Sequence, residues 1–281
     1  MPIPADSPSI SFDYHSHHFR CGHAVGQISD YIDAALACGM TEFGVSDHGP
    51  AYFRPGDHAL PNTQMARSEI PHYVREAFDQ KSKYAGQIDV KVGVEADFIA
   101  GQEAELADIL LSHPFDYVLG SVHYALDISI FSRTRWETEN AADTYAEYYR
   151  LVQAAAASGM FDILSHLTAV EAYGPPVPDD LADRLYPPVA EAAAASGCIV
   201  EVNTSGYRKM GEDEPFPNRR MLRYLIAAGV PLTFGSDCHK PEEVGFGRER
   251  VRLLLNELGV KTDEPQQVTV RRGSLLAFPT K

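Results

Sequence analysis

The amino-acid sequence predicts an α/β fold built on a parallel sheet, either closed as a barrel or open and doubly wound. Three observations lead there. Extended apolar stretches alternate with amphipathic helical ones for almost the whole length, the strand comes first in each pair, and no linker-like segment interrupts the alternation. Candidate strands fall at 10–15, 42–46, 89–95, 117–121, 163–165, 198–202 and 231–235. Helical segments at 28–38, 69–85, 103–111, 142–157, 180–196, 218–228 and 241–258 follow them, several ended by a glycine (Gly39, Gly159, Gly197, Gly229, Gly259) suited to a left-handed cap. Longer irregular stretches at 49–68, 125–140, 169–178 and 204–217 follow the second, fourth, fifth and sixth strands. Loops of that length usually shape a site.

The 281 residues, 44% of them hydrophobic, are expected to form one domain over 1–281 with a sizeable core. No apolar run approaches the ~20 residues of a membrane helix, and MPIPADSPSI lacks a basic start and an apolar stretch, so a cytoplasmic location is expected. Cys21, Cys38, Cys198 and Cys238 form no CxxC pair and suggest neither a zinc ribbon nor a disulfide framework. A net charge of −15 without a basic run would repel a polyanion, which argues against nucleic acid as a partner. A small anion remains compatible, because bound divalent cations reverse the local field.

The chemistry-bearing residues sit at the ends of the candidate strands. His15, His17 and His23 follow the first strand in DYHSHHFRCGHA, His48 follows the second in VSDHG, and Glu95 ends the third in VGVEADF. His123 follows the fourth in GSVHY, His166 the fifth in ILSHL, and Asp237 with His239 the seventh in FGSDCH. In a parallel barrel the C-terminal strand ends converge on one face, so these residues would share one mouth. In the HxH and DxH pairs, alternate residues of an extended chain point the same way. Imidazole nitrogen with carboxylate oxygen suits zinc, iron or manganese better than magnesium or calcium. A mononuclear site needs about four ligands, so nine candidates argue for two or three cations with Glu95 or Asp237 bridging.

A lone histidine near a strand end usually only hydrogen-bonds; the repetition over six of seven strands makes the case for metal. His18 is expected to point away from its neighbour His17, and His58, His72 and His113 to be solvated. Cys238 should face opposite to Asp237 and His239, and Cys21 has no partner cysteine for a thiolate-rich site.

These motifs resemble the polymerase and histidinol phosphatase (PHP) superfamily, with its HxH first motif and DxH last motif. DYHSHHFRCGHA, FGVSDHGP, VGVEADF, FDYVLGSVHY, ILSHL, EVNTSG and GSDCHKPEEVG are similar in particular to its stand-alone histidinol-phosphate phosphatases, and the likeness spans nearly the full chain. The resemblance implies a distorted seven-stranded (β/α)7 TIM-like barrel. It also implies a trinuclear centre liganded by His15, His17, His23, His48, Glu95, His123, His166, Asp237 and His239. Two stretches depart from the family pattern: SHLTAVEAYGP carries no basic residue, and LDISIFSRTRWETEN is unlike the usual loop.

The cluster suggests hydrolysis of a phosphoester by water whose pKa bound cations depress. Arg208 in NTSGYRK, on the same face, is the first candidate for the phosphate; Arg20, Arg133 and Arg135 follow. Asp47 would either relay a proton to the departing alkoxide or hold His48 in one tautomer. Three functions compete: hydrolysis of L-histidinol phosphate in histidine biosynthesis, phosphatase or phosphodiesterase action on another small phosphorylated substrate, and a metal-binding module without turnover.

Overall fold

The computed structural model describes residues 10–209 and 214–280. Its strands, in chain order, begin with β1 (Phe12–Asp13), β2 (Glu42–Val45), β3 (Asp89–Asp97) and β4 (Tyr117–Ser121). A small hairpin follows, β5 (Tyr124–Ala125) with β6 (Ile128–Ser129), and then β7 (Ile163–Leu164), β8 (Ile199–Asn203) and β9 (Leu232–Gly235). A second hairpin, β10 (Gln266–Val270) with β11 (Gly273–Ala277), comes last. All seven expected strands are present, and they pair in parallel in the order β1-β2-β3-β4-β7-β8-β9.

The two ends of this sheet meet, which decides for the barrel over the open sheet. Tyr14 N donates to Phe234 O at 3.2 Å, His17 N donates to Cys238 O at 2.9 Å, and Ser16 bridges Cys238 in parallel. Asp13 reinforces the seam, its Oδ1 accepting from Ser236 N at 2.9 Å and its Oδ2 from Gly245 N at 3.1 Å. The contact is a few bonds rather than a full ladder, so the barrel is distorted and nearly closed.

Helices α1 (Ile28–Ala37), α2 (Ile70–Lys83), α3 (Glu103–Leu111), α4 (Arg135–Thr138) and α5 (Ala141–Ser158) surround the first half. The second half has α6 (Asp179–Ser196), α7 (Ser205–Lys209), α8 (Arg219–Ala228) and α9 (Arg248–Glu257). Their ends follow local chemistry. The Asn140 side chain accepts from the first-turn N–H groups of Ala142 and Asp143, and Gly159 closes α5 at φ 63°. The expected single helix over 241–258 is instead a 3-10 turn, Pro241–Glu243, followed by α9. Gly245 and Gly247 stand between them at φ 69° and 72°, a conformation that ends the first turn and redirects the chain.

Three elements lie where loops, or nothing, were expected: β5–β6, α4 and α7. The β10–β11 hairpin is also new. It covers the end of the barrel away from the strand C-termini, burying Leu275, Ala277 and Phe278, with Phe278 paired to Leu232 and Leu276 N donating to the Tyr14 hydroxyl at 2.8 Å. Among the described residues no helix is long and apolar enough to cross a membrane.

The barrel interior is filled by side chains, Tyr117 foremost. Its hydroxyl donates to Tyr14 O at 2.6 Å, and its ring passes where Gly44 and Gly93 have no side chain. A Cβ at residue 93 would stand 2.4 Å from the Tyr117 ring, which is inside van der Waals contact. Gly93→Ala is therefore expected to lower stability by about 1–3 kcal/mol through overpacking. Urea unfolding should read this as a lower midpoint, and an unchanged midpoint would show that the ring has room to move.

Candidate metal centre

The strand ends deliver their side chains to one buried basin. Glu95, near the end of β3, occupies its middle. Its Oε1 lies 2.9 Å from His166 Nε2, 3.4 Å from His123 Nε2 and 3.5 Å from His15 Nε2, while its Oε2 lies 2.7 Å from His48 Nδ1 and 3.6 Å from His17 Nε2. Asp237 occupies the opposite side, its Oδ1 3.1 Å from His17 Nε2, 3.8 Å from His15 Nε2 and 3.6 Å from His239 Nδ1. His17 is stacked between His48 and His239, with ring centroids 4.2 and 4.3 Å apart. His23 completes the outer edge, its Nε2 2.8 Å from His239 Nε2. All nine expected residues are thus brought together.

Two features fit this donor set to divalent cations. First, Nε2 of His15, Nε2 of His17 and Oε2 of Glu95 are buried beside close polar neighbours but complete no well-aligned hydrogen bond, a costly arrangement that a cation would resolve. Second, Nε2 atoms face each other at 3.2 Å in His123–His166 and at 2.8 Å in His23–His239. Two nitrogens bound at about 2.0–2.1 Å to one tetrahedral ion lie roughly that far apart. Four overlapping triads of donors, His17/His48/His239, His15/Glu95/His166, His15/His17/Asp237 and His48/Glu95/His123, could each hold an ion.

Behind the donors stands a layer of carboxylates that orients them. Glu201 Oε1 meets His15 Nδ1 at 2.7 Å, and its Oε2 accepts from His166 N at 3.0 Å and Asn203 Nδ2 at 2.9 Å. Asp97 Oδ1 meets His123 Nδ1 at 2.7 Å. Asp47 Oδ1 lies 3.3 Å from His17 Nδ1, and its Oδ2 contacts His18 Nδ1. Asp47 therefore lies behind His17. It touches His48 only through the backbone, accepting from His48 N at 2.9 Å, so the ring it orients is that of His17 and not of His48.

Glu201 and Asp97 were missed in the sequence. Asp97 had a signal, standing two residues beyond Glu95 on an extended strand and so on the same face. Glu201 lies in EVNTSG two residues before Asn203, but its reach to His15 depends on Gly235, where a Cβ would come 1.8 Å from Glu201 Oε1. His18 points away from the basin, as its adjacency to His17 implies, yet it is buried and held by Asp47. His58 and His72 are exposed, and His113 is half-buried with its Nδ1 3.0 Å from Ile109 O.

Electrostatics divides the imidazoles. Burial pulls His123 down, but Asp97 and Glu95 outweigh it and hold the ring at about 9; Glu201, Glu95 and Asp237 likewise raise His15 against its burial. His48 is lowered to about 4 by burial and by the His17 charge, against the pull of Glu95, and His239 is lowered to about 2 by burial and the charge of His17. Burial would raise Glu95, yet His48, His15 and His123 hold it well below the usual carboxylate range. Cys21 also approaches Asp47 and His17, but burial pushes its thiol up to about 12, away from the thiolate a metal needs.

The basin opens into a cleft of about 850 Å³. Arg133, Arg208, Lys209 and Glu243 line it beyond the donors. Arg208 Nη2 donates to Ser236 O at 3.2 Å and Asp237 O at 3.0 Å, and Lys209 Nζ lies 3.7 Å from Asp237 Oδ2. Arg20 pairs instead with Glu76 at 2.7 Å, and buried Arg135 is bound to Glu139 and to the carbonyls of Ala125 and Ile128.

A nearly closed parallel barrel whose strand ends converge on histidine and carboxylate donors is the architecture of a metal-binding barrel protein. The chain belongs to the PHP family: the PHP-domain model matches residues 13–205, and the PHP-associated model matches residues 215–252. It is 35% identical to a probable histidinol-phosphatase of Deinococcus radiodurans, over 89% of this chain and 94% of that one. It is 26% identical to a histidinol-phosphatase of Bacillus subtilis, over 84% and 96%. The crystal structure of a histidinol phosphate phosphatase from Lactococcus lactis, complexed with zinc, L-histidinol and phosphate, superposes with a TM-score of 0.75 at 20% identity, covering 94% of this chain and 98% of that one. That likeness bears out the expected seven-stranded barrel.

Replacing Glu95 with Gln should leave a purified protein at least one metal equivalent poorer than wild type. Glu201→Gln should weaken metal affinity about 10–100-fold by releasing His15, with His58→Ala as the unaffected control. Plasma mass spectrometry after dialysis against graded chelator reads all three. Full metal content in Glu95→Gln would remove Glu95 from the ligand set.

Proposed function

We propose that this chain is a metal-dependent phosphomonoesterase that hydrolyses L-histidinol phosphate to L-histidinol and phosphate. The observation that carries the reading is a nine-donor cluster, mostly buried with His23 at its exposed edge, at the floor of a cleft lined by arginine and lysine, in a chain whose net charge is −15. An anion small enough to enter would meet the positive charge of Arg133, Arg208 and Lys209 there. The names of the Deinococcus and Bacillus relatives support histidinol phosphate as that anion.

In this reading His15, His17, His23, His48, Glu95, His123, His166, Asp237 and His239 hold two or three divalent transition metals of the zinc, iron or manganese type. Such cations, when bound, acidify water and polarise phosphoryl oxygens. The protein's own residues do the rest. Glu201, Asp97 and Asp47 fix the rings of His15, His123 and His17. Arg208 and Lys209, both beside Asp237, offer hydrogen bonds and charge to phosphate oxygens. Asp47 serves as a positioning residue for His17, because its carboxylate is enclosed by His17 and His18 rather than open to the leaving alkoxide.

Residues 1–281 act as a single PHP-type metallohydrolase domain in this reading. Asp237 and His239 fall in the part matched by the PHP-associated model, and they meet ligands from the part matched by the PHP model. A cytoplasmic setting and the absence of nucleic-acid or membrane partners complete the proposal, supported by the acidic charge and by four free cysteines among the described residues.

Phosphate release from L-histidinol phosphate, other phosphomonoesters and a diester, each at saturating manganese or zinc, tests the proposal. Histidinol phosphate should be the preferred substrate, with Arg208→Ala losing about 10-fold or more in kcat/KM, in line with about 1.5–3 kcal/mol for a charge-assisted hydrogen bond. Negligible histidinol phosphate hydrolysis beside brisk diester cleavage would overturn it. Fewer than about two metal equivalents after reconstitution would count against the cluster itself.

A further inference from the structure

Two loops form the cleft wall beyond the metal basin: the segment after β4, which contributes Tyr124, Phe131 and Arg133, and the segment after β7, which contributes Tyr173. The Arg133 guanidinium lies 3.9 Å from the centre of the Tyr173 ring, and Phe131 meets that ring edge-on at 6.5 Å. Phe131 also lies 5.9 Å from the His123 ring and under the Lys209 ammonium at 4.7 Å. A continuous aromatic and cationic surface therefore runs outward from the cluster.

Each loop is pinned two residues from its wall residue. Arg135, fully buried, holds the first through the carbonyls of Ala125 and Ile128 and the carboxylate of Glu139. Glu171 holds the second, accepting from the hydroxyls of Tyr149 and Tyr186 and from Asn218 Nδ2 at 3.0 Å. Arg133, by contrast, is exposed and has no carboxylate within ion-pair distance among the described residues. A guanidinium is planar, with two faces able to stack. Tyr173 takes one face, and among the described residues no carboxylate anchors the charge elsewhere.

We infer that Phe131, Arg133 and Tyr173 form the leaving-group subsite and select phosphate esters whose alcohol carries a planar ring, which stacks against the guanidinium and the aromatic faces. The inference rests on the phosphatase reading above and adds to it the part of the substrate that the wall reads. Because these residues lie outside the donor set, they act on binding of the alcohol half and not on phosphoryl transfer. Charge alone does not suffice for this role; flatness does the selecting.

The test compares L-histidinol phosphate with 2-aminopropyl phosphate, which keeps the phosphate and the amine and lacks the ring, using metal-loaded full-length protein. Arg133→Met, Arg133→Lys and Tyr173→Leu should raise KM for histidinol phosphate about three- to thirty-fold while kcat stays within about twofold. Tyr173→Phe should resemble wild type, and kcat/KM for 2-aminopropyl phosphate should change by less than about twofold in every variant. Arg133 is exposed, so its variants carry the result even if Tyr173→Leu folds poorly. Equal losses on both substrates, no loss on either, or full activity in Arg133→Lys would overturn the subsite. Wild-type protein inactive on histidinol phosphate would instead overturn the functional reading.

Discussion

Glu95 is the residue on which the rest of the site depends. Five imidazoles, from His15, His17, His48, His123 and His166, lie within 4 Å of its carboxylate. They come from the ends of β1, β2, β4 and β7, the two strands on each side of β3 in the sheet, and the curvature of the barrel turns them inward onto it. The closing seam between β1 and β9 then brings Asp237 and His239 against the same rings. A buried carboxylate without positive charge around it would be costly, and protonated imidazoles or bound cations each supply that charge. The barrel thus builds a position where negative and positive groups must alternate, and a cation is the natural centre of it.

Holding that many donors in one geometry calls for support from behind. Glu201, Asp97 and Asp47 each take the far nitrogen of one histidine and leave the near nitrogen aimed into the basin. The backbone is recruited too. His166 and Asp237 adopt φ 28° and 53°, values non-glycine residues seldom occupy, at a cost of about 1–3 kcal/mol each. Glu201 holds the first by accepting from His166 N, and Asp13 holds the turn into the second by accepting from Ser236 N. Strain of this kind persists because neighbouring bonds over-determine the position, and both residues belong to the proposed ligand set.

Much of this was legible in the sequence because the barrel repeats one rule. Each strand reads as a short apolar run, and the polar end of all but the sixth carries a donor, so the strands and the convergence of His15, Glu95, His123 and Asp237 follow from pattern alone. Glu201 was not legible, since whether it meets His15 depends on the gap left by Gly235 on the neighbouring strand. His18 shows the same limit from another side: its direction follows from alternation, but its burial against Asp47 does not. The β10–β11 hairpin escaped because QQVTVRRGSLLA has only a weak alternation and an Arg-Arg turn in place of Asn-Gly. The β5–β6 hairpin is only two residues per strand, too short to carry a period.

The division between strands and loops also explains which parts of the chemistry can vary. Ligands on strand ends are tied to the barrel: moving His123 would require moving β4, and with it the Tyr117 ring that fills the interior. Arg133 and Tyr173 have no such tie. Their loops are held by Arg135 and Glu171, whose bonds are made to helices and loop carbonyls, so these two positions can change without touching a metal donor, whereas Phe131 packs against the His123 ring. The two sequence stretches that depart from the family pattern are those same loops. A barrel arranged in this way keeps hydrolysis of the phosphoester constant and leaves the choice of alcohol to the segments after β4 and β7.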